Sequence, residues 1–118
     1  MNQSQPFQLS ATVKLDGSGN GTAQLGPQSA VRWEPSLVAI QTVNQSVTTV
    51  PACAIYAGSV VTPSTLVDQT YNGQNNSSTK IDGQILYQGQ YVYAVWTGGV
   101  PGDTATLRVT GNQIAGYR

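Results

Sequence analysis

Nine consecutive residues, Phe7-Gln8-Leu9-Ser10-Ala11-Thr12-Val13-Lys14-Leu15, alternate without a break, apolar at every odd position and polar at every even one. Side chains that alternate between two faces belong to a β-strand, and this pattern gives the strand one buried face and one wet face. The segment Asp16-Gly17-Ser18-Gly19-Asn20-Gly21 follows, and Thr22-Ala23-Gln24-Leu25-Gly26 runs back. Together they predict a hairpin whose glycines are free to take positive φ. Composition removes the helical alternative. Glu and Lys contribute only Glu34, Lys14 and Lys80, whereas the β-branched residues Val, Ile and Thr number 31 of the 118.

The same reading extends along the chain. Ala30 to Glu34, closed by Pro35, and Leu37 to Val43 predict two central strands, the second apolar enough to be covered on both faces. Pro51 to Gly58 is strand-like, with Ser59 to Val61 as an extension that ends before Pro63. Gln69 to Thr79 is polar and rich in turn formers, which predicts a surface loop. Strands resume at Lys80 to Asp82 and Gln84 to Tyr87; a Gln88-Gly89 turn precedes Gln90 to Trp96, and Thr97 to Asp103 leads to Thr104 to Thr110. About eight short strands with no helical crossover between them predict a single all-β domain, an antiparallel β-sandwich or jelly-roll-like fold. Its expected bounds are residues 7–111. Residues 1–6 read as a flexible N-terminal arm and 112–118 as a C-terminal tail.

Composition also removes classes of function. There is no His, so the commonest general base and zinc ligand are missing together. Five Lys and Arg balance five Asp and Glu, leaving no basic patch for nucleic acid. Asn, Gln, Ser and Thr, 43 residues in all, supply the polar surface instead. Met1 to Pro6 carries no basic residue ahead of an apolar run, and no window approaches the ~18 apolar residues of a membrane span. The expectation is a protein folded in a reducing cytosol, which also suits the lone Cys53. The five Asn-x-Ser/Thr triplets, at Asn2, Asn20, Asn44, Asn75 and Asn76, are what so Asn/Ser/Thr-rich a chain produces by chance. They are not read as glycosylation sites.

Few residues offer chemistry. Asp16 to Gly21 fits the first half of a calcium loop, but Pro27 stands where the twelfth-position acid belongs, and a Gly-rich hairpin turn is the simpler reading. Glu34, Asp68, Asp82 and Asp103 are dispersed. Cys53, with no His or Lys beside it, reads as an inert buried thiol. No catalytic residue, cofactor or metal is expected. The aromatic residues give the strongest hint of binding. In Tyr91 to Trp96, Tyr91, Tyr93 and Val95 share one face and Val92, Ala94 and Trp96 the other. If Trp96 packs inside with Trp33, Tyr91 and Tyr93 form a tyrosine stripe suited to a subunit contact or a glycan. Tyr71 and the 69–79 loop could join it. The alternative is a set of cross-strand aromatic pairs that stabilise the sheet.

The blocks Cys53-Ala-Ile-Tyr56, Asp68-Gln-Thr-Tyr-Asn72-Gly-Gln-Asn-Asn-Ser-Ser-Thr79, Leu86-Tyr-Gln-Gly89-Gln90 and Val95-Trp-Thr-Gly-Gly-Val-Pro-Gly102-Asp-Thr-Ala-Thr-Leu-Arg-Val-Thr-Gly111 form a further pattern. It resembles small β-sandwich virion proteins encoded by tailed phages of actinobacteria, over residues 30–111. The resemblance implies a non-enzymatic virion protein, either a capsid decoration or cement protein or a minor tail protein; in the tail alternative the tyrosines and the 69–79 loop would contact a host glycan. Its implied partners are other virion proteins and further copies of itself. It brings no active-site residue.

Overall fold

The computed structural model describes residues 3–28, 30–42, 51–70, 77–80 and 85–115. Its elements in chain order are β1 (Gln3–Lys14), β2 (Gly21–Leu25), β3 (Val31–Thr42), β4 (Ala52–Gly58), a 3-10 turn (Pro63–Thr65), β5 (Leu66–Thr70), β6 (Ser77–Lys80), β7 (Tyr91–Thr97) and β8 (Thr104–Ala115). They form two four-stranded sheets, β1-β8-β3-β6 and β2-β7-β4-β5, and every pairing is antiparallel. First pairs with last, second with seventh, third with sixth and fourth with fifth. The chain is thus a long hairpin rolled over on itself, the jelly-roll-like sandwich that the alternation and turn spacing predict.

The inner faces meet in one core. Val38, Ile40, Ala105, Leu107 and Val109 come from the first sheet, and Ala23, Cys53, Ile55, Val92, Ala94 and Trp96 from the second. Burying each Val, Leu or Ile stabilises the fold by about 1.5–3 kcal/mol. One end of the sandwich is closed by two interlocked turns. The Gly99 N–H donates to the Gly19 carbonyl (2.9 Å) and the Gly98 N–H to Asn20 Oδ1 (3.1 Å). The Leu15 N–H reaches the Asp103 carbonyl (2.9 Å), and the Gly102 N–H the Leu15 carbonyl (3.0 Å). Gly19, at φ 78°, has no room for a side chain, because a Cβ there would strike the Gly99 backbone.

The two sheets differ in length. β1, β3 and β8 have 12 residues each, against five in β2 and seven in β4 and β7. At about 3.3 Å per residue the long strands reach roughly 40 Å and the seven-residue strands roughly 23 Å, so the first sheet overhangs the second. The overhang lies opposite the interlocked turns. There Phe7 stacks on Trp33 (ring centroids 4.4 Å apart), and Leu86 holds the outer edge of β3 through paired backbone hydrogen bonds with Trp33, both 2.9 Å.

Several expectations are corrected. Pro35 does not separate two strands: β3 runs through it, with a register shift between Pro35 and Leu37 opposite Gly111. Proline is tolerated because its missing N–H falls between the β6 pairs, at Leu37 to Ile40, and the Leu86 bridge at Trp33. Leu37 to Thr42 is covered on one face only, since Val38, Ile40 and Thr42 are buried while Leu37 and Gln41 are exposed. β4 stops at Gly58, without the extension through Val61. The expected 69–79 loop contributes the end of β5 and most of β6. Its middle, with Tyr71, lies outside the described residues, as do 81–84. Residues 3–6 and 112–115 are not free arms. Gln3, Ser4, Gln5 and Pro6 pair with Ala115, Ile114, Gln113 and Asn112, which are themselves held on their other side by Val31 to Glu34, so the backbone groups of both ends find partners.

Candidate functional site

β7 settles which face carries the tyrosines. Val92, Ala94 and Trp96 are fully buried in the core that also holds Trp33, so Tyr91, Tyr93 and Val95 point outward from the second sheet. Outward does not mean open. Tyr93 is only 8% exposed, and Tyr91 is half-buried. The Tyr93 hydroxyl donates to the Ser59 carbonyl (3.2 Å) and its ring lies 5.7 Å from Tyr91, tilted by 57°. Tyr56 and Gln24 stand opposite it on the neighbouring strands. The Tyr91 ring in turn lies over Gly26, where a Cβ would come within 2.6 Å of Cδ1. Tyr93 therefore ties β7 to the segment after β4, and Tyr91 offers the accessible part of the pair.

The remaining candidates are held by the fold. Asp16 accepts hydrogen bonds from the Ser18 and Asn20 N–H groups on Oδ1 (2.9 and 3.0 Å), which holds its carboxyl below the ordinary carboxylate value, the Asn20 bond being the larger cause. The carboxylate thus caps the backbone of its own turn. Glu34 pairs with Arg32 at 3.2 Å, and Asp103 is buried in the turn before β8. Cys53 faces the core opposite Trp96; burial pushes its thiol up to about 12, with a backbone hydrogen bond at Val95 acting the other way.

The overhang contains the feature that residue-by-residue reading missed. Beneath Phe7 and Trp33, an open cavity of about 400 Å³ is bounded by Gln8, Leu9, Gly26, Gln28, Val31 and Gln113. Leu9 lies on the inward side of β1, in register with fully buried Val109, yet is 46% exposed. The reason is the short β2, which ends at Leu25 and leaves Leu9 without a facing strand. No local signal marks these residues. They come together only because two sheets of unequal length are stacked.

No family model matches the chain, and no curated protein does. Among solved structures the chain is similar to one in the acidic stable capsid structure of Helicobacter pylori bacteriophage KHP30. Identity is 14% and the TM-score 0.49, over 99% of this chain and 95% of that one.

Proposed function

We propose that the chain is a non-enzymatic structural protein of a phage virion, a capsid decoration or cement protein that packs as a homo-oligomer on a regular lattice. The observation that carries this reading is what the residues of the virion-like sequence pattern do. Trp96, Ala105, Leu107 and Val109 are fully buried, and Gly98 and Gly102 take positive φ in the interlocked turn. Gly111 lies so close to Glu34 and Pro35 that a Cβ would come within 2.6 Å of the Pro35 Cα. The pattern resembling virion proteins is thus the pattern that builds this sandwich. A rolled eight-strand wiring recurs in viral capsid domains and supports the same reading.

Attachment to a lattice needs an apolar surface. Val60, 52% exposed, is followed by exposed Val61 and, across the 3-10 turn, by exposed Leu66. Apolar side chains gathered at one turn of a chain with few charges suit a protein contact. The test is electron cryomicroscopy of purified particles carrying wild-type protein or Val60→Asp/Val61→Asp. The expected result is wild-type density at regular capsid positions and loss of the double variant from particles while it remains folded in solution. Density at the tail tip alone would replace decoration by the tail alternative, in which Tyr91, with Tyr93 and Tyr71, contacts a host glycan and Tyr91→Ala abolishes polysaccharide binding. Particles lacking the protein altogether would overturn the reading.

A further inference from the structure

From the cavity under the overhang we infer a binding site for a neutral sugar ring, separate from the outward tyrosines and independent of whether the chain sits on head or tail. The lining gives the chemical class. Among the described residues none that bounds the cavity is charged, so none of them balances a phosphate, carboxylate or ammonium group. The wall is apolar: the edges of stacked Phe7 and Trp33, with Val31 and the half-exposed Leu9. Gln8, Gln28 and Gln113 bring both donors and acceptors to the rim. A ligand for this lining must show C–H groups on one face and hydroxyl groups that both give and accept hydrogen bonds on its edges. A pyranose does both. The space, about 400 Å³, lies within the few hundred Å³ usual for small-molecule sites.

A purely apolar occupant, such as a side chain inserted by a partner protein, fits less well. It would bury the three glutamine amides without giving them partners. Gly26, on the cavity's border, cannot take a side chain, because a Cβ there would collide with Tyr91 and the Gln90 carbonyl.

The experiment is a titration of the full chain with methyl glycosides of glucose, galactose, mannose and N-acetylglucosamine, followed by nitrogen-edited NMR. Expected are shifts of the Gln28 and Gln113 side-chain amides and of the Trp33 indole N–H, while the Trp96 indole, sealed in the core, stays still. Gln28→Ala, at an exposed position outside any strand, should weaken binding about fivefold, the worth of one net hydrogen bond, without changing the backbone spectrum. Leu9→Lys, which sets a cation at the mouth, should abolish it. The inference is overturned if no glycoside moves these signals. It is equally overturned if cyclohexanol moves them as strongly and Gln28→Ala changes nothing, since the cavity would then be an apolar slot.

Discussion

Cys53 lies on the inner face of β4, and burial raises its thiol to about 12, whereas an exposed thiol titrates near 9.0. A proton held that firmly leaves almost no thiolate at neutral pH, and the thiolate is the reactive form. The same shift has a consequence for stability. Above pH 9.0 the unfolded chain loses the thiol proton while the native chain keeps it, so the native state binds more protons and stability falls as pH rises toward about 12. The urea midpoint of wild type should therefore decline more steeply above pH 9.0 than that of Cys53→Ala, which has no thiol to titrate. Equal slopes would show that Cys53 is solvated in the native state. At neutral pH a disulfide-exchange reagent should modify the thiol only as fast as the chain unfolds.

Among the strands, β8 carries the tightest steric demand. Its Gly111 is flanked by Phe7 on β1 and Pro35 on β3, and the absence of a side chain lets β3 continue through its proline. Gly111→Val should cost about 2 kcal/mol or more, read as a fall in the denaturation midpoint, because overpacking of a fixed backbone typically costs 1–3 kcal/mol. Elements of this kind divide into those the sequence announces and those it does not. β1 and the first part of β8 carry period-2 alternation, β7 is a run of aromatic and aliphatic residues, and all three were legible residue by residue. β5 and β6 are edge strands, Leu66–Thr70 and Ser77–Lys80, and their residues Gln69, Thr70 and Ser77 to Thr79 are so polar that they read as loop. Residues 3–6 form strand only by pairing with 112–115, which pair on their other side with Val31 to Glu34, and these pairings span so much of the chain that no local window contains them. The direction of Tyr91 and Tyr93 was legible once Trp96 was placed inside, but the burial of Tyr93 depends on Ser59 of a distant turn. The sugar-sized cavity depends on unequal strand lengths and had no sequence signal at all.

At the scale of the molecule, the ends of the first and last strands meet at the overhang, 51 Å being the longest dimension of the whole. Removing residues 1–6 deletes the strand pairs opposite 112–115 and bares the stacked Phe7–Trp33 pair. The chain should still fold around its central core, with a thermal midpoint lower by several degrees in a circular dichroism melt, as expected for a loss of 1–2 kcal/mol in a domain of this size. An unchanged midpoint would show that these pairs add nothing to stability. The position of β8 between β1 and β3 also sets a timetable for folding. Until residues 104–115 have left the exit tunnel, β1 lacks the strand it pairs with and β3 lacks its partner on one side. The first sheet can close only then, so each copy spends its synthesis with unpaired strand edges exposed to its neighbours on the same message. The interval before β8 arrives is therefore when the chain is most open to aggregation, and slow codons late in the message are expected to lower the yield of folded protein.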